Sequence, residues 1–216
     1  MSAAPHTPVR HEPLPLLDVV IVPYIAVVVG MYLARSVWIA FWLYEAGMVA
    51  VLAHERQWFR LRDLWRSKSA ALAGAAVATL VAGPVLYALA VAGDIGPRLA
   101  EATAVFGPSA GAWPLFIACF CLTNPWLEEL YWRGYLGEAS TRWSWRDVLF
   151  AGYHPLFLVP FVGWWWALAA FVLLVVVARL WRQAARLGGG LLVPVISHFA
   201  ADLSILLASW VLISRS

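Results

Sequence analysis

Seven apolar runs dominate this sequence, each close to the length needed to cross a bilayer: residues 16–34, 37–53, 70–92, 112–136, 148–162, 164–180 and 191–213. About 20 apolar residues carry a helix across the hydrocarbon. In lipid the backbone must satisfy its own N–H and C=O groups, which an uninterrupted helix does. The pattern predicts an all-α polytopic transmembrane bundle of about seven spans. The fifth run is short and the first two nearly abut, so a re-entrant segment also fits the pattern. Composition closes the other routes. With 63% hydrophobic and 12% charged residues and a mean hydropathy of +0.77, the chain has too little polar surface for a water-soluble globule. It is also too apolar for a disordered segment. The net charge of +3 comes from arginines dispersed between apolar runs, which is not the single basic face of a nucleic-acid reader.

The charges instead predict topology. His54 to Ser69 holds Arg56, Arg60, Arg62, Arg66 and Lys68, and the positive-inside rule puts this stretch in the cytosol. Alternation then places Arg10, Arg142, Arg146, Arg179, Arg182 and Arg186 inside and Arg35, Arg98 and Arg215 outside. The N-terminus is expected in the cytosol and the C-terminus outside. The organisation expected is a cytosolic tail over 1–15, motif-free helices over 16–111 and a functional core over 112–213. The polar, proline-dotted tail lacks the features of a signal peptide. Cys119 and Cys121 are spaced for neither a disulfide framework nor a CxxC pair and are expected to be packing residues. Trp58, Trp65, Trp143, Trp145, Trp164 to Trp166 and Trp181 fall near predicted span ends and read as interface anchors. One lysine against fourteen arginines, with abundant Ala and Trp, points to a bacterial cell membrane.

Ionisable groups inside spans are costly and therefore mark function. They are Glu45, Glu128, Glu129, Arg133, His154, His198 and Asp202. Glu129 and Arg133 are spaced i, i+4 with the acid first, the better orientation for an intrahelical pair. Glu128 lies about 100° around the helix and is left over as a poorly compensated acid, suited to act as a general base. His198 and Asp202 share a face, so the carboxylate can orient the imidazole. At about 1.5 Å per residue, His154, His198 and Glu128 lie roughly 10, 12 and 14 Å from the predicted cytosolic ends of their helices. Pro125, Pro155 and Pro194 each stand near one of these residues, and broken helices in membranes line cavities. A water-accessible cavity is expected there. Glu45 reads as a pore-facing or paired structural acid that could also line substrate access, and Phe150 as core packing.

Glu128-Glu129-Leu130-Tyr131-Trp132-Arg133 fits EExxxR, Phe150-Ala151-Gly152-Tyr153-His154 fits FxxxH, and His198-Phe199-Ala200-Ala201-Asp202 resembles HxxxN, in that order. Together they resemble the CPBP family of intramembrane proteases, which includes CAAX proteases and bacteriocin-processing enzymes and is also called Abi. The resemblance spans roughly residues 113–210 and implies peptide-bond hydrolysis in the membrane, on a membrane-associated peptide or protein. It implies that Glu128 activates water with help from His154, that His198 and Asp202 face the oxyanion, and that Glu129 and Arg133 support them. Asp202 departs from the asparagine of eukaryotic members, because an ionised carboxylate cannot donate to an oxyanion.

Two alternatives stay open at this point. Glu128, His154, His198 and Asp202 offer two nitrogens and two carboxylates, a set compatible with zinc or another divalent metal. The HExxH spacing is absent, and metal-free water activation is favoured, with no cofactor. The other alternative is a non-catalytic immunity or transporter-like protein using the same polar cluster. No inverted repeat is visible to support a transporter.

Overall fold

The computed structural model describes residues 13–215. The tail expected at 1–15 therefore lies outside the described residues apart from its last three. α1 (Leu16–Val27) runs into a π-helical stretch, Val28–Leu33, and α2 (Val37–His54) follows. A 3₁₀ segment, Gln57–Trp65, leads to α3 (Ala70–Ala76), which continues through a 3₁₀ turn into α4 (Ala82–Ala92). α5 (Gly96–Phe106) precedes α6 (Trp113–Glu128), which widens into a second π-helical stretch, Glu129–Tyr135. α7 (Trp145–Gly152), α8 (His154–Val162), α9 (Trp164–Gly188) and α10 (Leu192–Ile213) complete the chain.

Local chemistry sets several of these ends. Ser36 caps α2, its hydroxyl accepting from the Ile39 amide. Ser144 and Asp147 form a reciprocal capping box at the start of α7, satisfying amides that a helix start leaves unpaired. Gly189, at φ +67°, ends α9 in the left-handed conformation that a side chain would strain.

Six stretches among the described residues are long and apolar enough to cross a membrane: Leu16–Leu33, Val37–His54, Leu72–Ala92, Ala110–Tyr135, Trp164–Gly188 and Leu192–Ile213. The fifth expected run is instead two short helices, α7 and α8, that meet at Tyr153. Pro155 accounts for the break. It has no N–H to give the carbonyl four residues earlier. Both halves lie along the single 25-residue helix α9. Pro194 is different: it sits in the first turn of α10, where no N–H is needed, and it breaks nothing.

α10 is the central helix, with α3, α4, α5, α6 and α9 around it. Its contact with α4 is close enough that a Cβ at Gly83 would collide with the Ser204 carbonyl. The Gly83 amide donates to the Ser204 hydroxyl at 3.0 Å, the small-residue packing that membrane helices use in place of a hydrophobic driving force. The buried core gathers Met48, Leu52, Leu130, Tyr131, Phe150 and Val195, while Trp164, Trp165, Leu168, Val172 and Leu173 face outward. An apolar exterior of this kind suits lipid as solvent.

Arg182, expected as a topology charge, is buried. It donates to both oxygens of Asp147, from Nε at 2.9 Å and Nη2 at 2.7 Å. It also holds the Ser140 and Arg142 carbonyls, clamping the connection between the π turn and α7 onto α9.

Candidate active site

His198, buried on α10, is the hub of the polar cluster. Its Nδ1 lies 3.0 Å from Glu129 Oε1, and its Nε2 lies 3.4 Å from both Glu128 Oε2 and Asp202 Oδ2. Trp181 of α9 stacks on the ring at 4.3 Å between centroids and donates from Nε1 to the Ser197 hydroxyl at 2.8 Å. A ring held at one nitrogen and along one face has little freedom to turn. Glu129 therefore orients the imidazole more tightly than Asp202, the partner expected from the shared helix face.

The two adjacent glutamates sit where α6 opens into the π-helical turn. The sequence led to an ordinary α-helix here. Such π turns concentrate at functional sites, and this one still keeps the i, i+4 pair together. Arg133 Nη1 donates to Glu129 Oε1 at 3.1 Å, and its guanidinium lies 3.9 Å over Phe150 and 5.0 Å over Trp181. Phe150 is packed in the core and also seats the cation.

Glu128 is not the unpartnered acid that the sequence suggested. Its Oε1 accepts from the hydroxyls of Tyr44 on α2 and Tyr153 at the α7–α8 break, whose oxygens lie 2.8 Å apart. Trp132 Nε1 reaches Tyr44 Oη at 3.4 Å. Oε2 is buried, has no hydrogen-bond partner among the described residues and faces His198. With one oxygen doubly bonded and the other turned toward His198 Nε2 at 3.4 Å, the carboxylate is held in a fixed direction.

His154 stands one step away. Its Nδ1 lies 3.1 Å from the Phe150 carbonyl. A carbonyl only accepts, so Nδ1 carries the hydrogen and Nε2 offers a lone pair in the neutral ring. The ring stacks on Tyr153 at 4.2 Å between centroids and so borders Glu128 through that tyrosine. Asp202 Oδ2 accepts from Asn124 Nδ2 at 3.4 Å.

Glu45 is buried, and neither of its carboxyl oxygens has a hydrogen-bond partner among the described residues. Of the two readings of Glu45, a pore-facing or a paired acid, the paired one is not met there. Of the four residues considered for zinc, Glu128, His198 and Asp202 meet at His198 Nε2, while His154 borders them through the Tyr153 ring. Among the described residues, no group of three or more His, Cys, Asp or Glu side chains is arranged to hold a metal ion. A cavity of about 340 Å³ is an apolar cleft lined by Tyr24, Leu149, Gly152, Pro155 and Trp164, among others. None of the polar cluster lines it, so the water-accessible cavity expected at the prolines is not this cleft.

Sequence reasoning missed Tyr44, Tyr153, Asn124 and Trp181. The only sequence signal for the tyrosines is adjacency, since each phenol immediately precedes an intramembrane ionisable residue, Glu45 or His154. Trp181 was expected at the interface, and nothing local marks it as the stacking partner of a histidine.

Residues 110–204 match the model of a protein family described as type II CAAX prenyl endopeptidase Rce1-like. This stretch, a little under half of the chain, is similar to the Rce1-like family. The match supports placing the protein among the CPBP proteases of CAAX type, and peptidase as its general class. The Rce1-like stretch contains Glu128, Glu129, Arg133, His154, His198 and Asp202, whereas Tyr44 and Glu45 lie before it. No curated protein and no solved structure matches the chain.

Proposed function

We propose that the protein is an intramembrane endopeptidase that hydrolyses a peptide bond of a membrane-associated protein or peptide through water activated by Glu128. The observation that carries this reading is the convergence of Glu128, Glu129, His198 and Asp202 within 3.4 Å in a buried site inside the Rce1-like stretch. Water at Glu128 Oε2 gives its proton to that oxygen, and its own oxygen attacks the scissile carbonyl carbon. Nε2 of His154 orients the same water. The oxyanion faces Nε2–H of His198, whose charge Glu129 and Asp202 offset. Glu128 then returns the proton to the amine as the C–N bond breaks. The direct test is mass spectrometry of membrane peptides from cells with the wild-type chain or Glu128→Gln. New N-termini that depend on Glu128 support hydrolysis. Identical peptide sets, with the cellular phenotype retained, would point to the binding or transporter-like reading.

This mechanism needs no metal. If Asp202 only offsets His198, Asp202→Asn should keep activity within about tenfold of wild type, since an amide still accepts from the ring and can donate to the oxyanion. EDTA should leave the rate unchanged. Stoichiometric zinc in purified protein, with chelator-sensitive activity lost in Asp202→Asn, would replace this mechanism with a metal-assisted one.

We assign the N-terminal side of the bundle to the cytosol, on the basic stretch from Arg56 to Lys68. Arg98 and Arg142 are both exposed. After Cys119 and Cys121 are replaced by alanine, Arg142→Cys should react with an impermeant maleimide only from the cytosolic side and Arg98→Cys only from outside. The opposite labelling would reverse the orientation.

A further inference from the structure

α2 carries no motif and precedes the Rce1-like stretch, yet it enters the site through Tyr44 and places a second buried polar residue directly after it. Tyr44 bonds Glu128, and the next residue, Glu45, is 4% exposed with both carboxyl oxygens free of hydrogen bonds. Glu45 and Glu128 are near enough for their charges to act on each other. Glu45 and His198 also lie within about one helical turn of each other in depth. The Leu191 amide donates to the Asp63 carbonyl at 2.7 Å, tying the start of α10 to the segment that follows α2. From that common end, Glu45 lies about 13 Å in from His54 and His198 about 9 Å in from Leu192.

A buried polar group without a partner is a standing cost of about 1–3 kcal/mol, and inside a membrane such a group marks a functional position. A peptide cleaved inside a membrane has a matching need. Its backbone must unwind to expose the scissile bond, and each freed N–H costs several kcal/mol in hydrocarbon until something accepts it. Among the described residues, Glu45 offers acceptor oxygens that no protein donor uses.

We propose that Glu45 is a substrate-positioning residue, its carboxyl accepting a backbone N–H of the unwound peptide beside the scissile bond. This rests on the protease reading above. It also gives the motif-free first helices a role, since α2 would then supply both a brace for Glu128 and an acceptor for the substrate backbone.

The test uses full-length protein in nanodiscs and a quenched-fluorescent farnesylated peptide ending in a CAAX sequence, the substrate type in the family's name. Glu45→Leu should raise KM about tenfold, the loss of one hydrogen bond to a buried group, with kcat changed less than threefold. Its melting temperature should not fall, because an apolar side chain replaces an unpartnered polar one. Glu45→Gln keeps an acceptor oxygen and should bring KM back to within about threefold of wild type. An unchanged KM in Glu45→Leu overturns the proposal. So does a loss confined to kcat, which would mean a role in the chemistry, or a Glu45→Gln defect as large as that of Glu45→Leu, which would mean that charge and a cationic partner matter. A probe left intact by the wild-type protein, or cut equally well by Glu128→Gln, defeats the protease reading itself and is distinguishable from each of these outcomes.

Discussion

Glu128→Gln is expected to lower the hydrolysis rate by roughly 10²- to 10⁴-fold, the range for loss of a general base, while the protein remains folded and abundant. The amide keeps the volume of the carboxyl and an oxygen that can still accept from Tyr44 and Tyr153. It cannot take a proton from water at the position of Oε2. Single-turnover kinetics on purified protein, with melting temperature as the control for folding, separate chemistry from stability. A wild-type rate would remove Glu128 from the base role. A collapse in melting temperature would show that the carboxylate chiefly holds the two tyrosines. Tyr44→Phe and Tyr153→Phe extend the argument, since each removes one donor from Oε1 and should reduce kcat less than Glu128→Gln does.

Arg133→Ala should reduce both membrane abundance and activity. The Arg133 and Glu129 side chains are 4% and 0% exposed, with Nη1 3.1 Å from Oε1. Removing one partner of a buried pair typically costs about 3–5 kcal/mol because the other charge is left uncompensated. Glu129 is not stranded completely, since His198 Nδ1 still reaches it at 3.0 Å. That histidine would then be drawn toward Glu129 and away from Glu128, so activity should fall further than abundance. The substitution also empties the space between Phe150 and Trp181 that the guanidinium fills. Adding Glu129→Gln to Arg133→Ala should recover much of the abundance, because it deletes the uncompensated charge. The check is quantitative blotting of membrane fractions together with thermal unfolding in detergent. An Arg133→Ala protein as stable as wild type would show that Glu129 is satisfied by His198 alone.

What the sequence determined follows from the bilayer as solvent. Long apolar runs have no other stable state, so the helical class and the spans other than the broken fifth run are legible from run length alone. An ionisable side chain in hydrocarbon is so costly that its presence marks function, which is why Glu128, Glu129, Arg133, His198 and Asp202 could be named beforehand and meet in the structure. The i, i+4 contacts of Glu129 with Arg133 and of His198 with Asp202 were legible for the same reason: they are fixed within one helix. Only the tertiary structure decided which partners cross between helices. Tyr44 and Glu128 are 84 positions apart, and His198 and Glu129 are 69 apart. Phenols and indoles are at home in any membrane helix, so nothing local distinguishes Tyr44, Tyr153 or Trp181 from an ordinary packing residue. The break at Tyr153, the π turn at Glu129 and the unpartnered carboxyl of Glu45 likewise depend on how α2, α6, α7 and α10 settle against one another. Periodicity along a single helix carries no record of that packing.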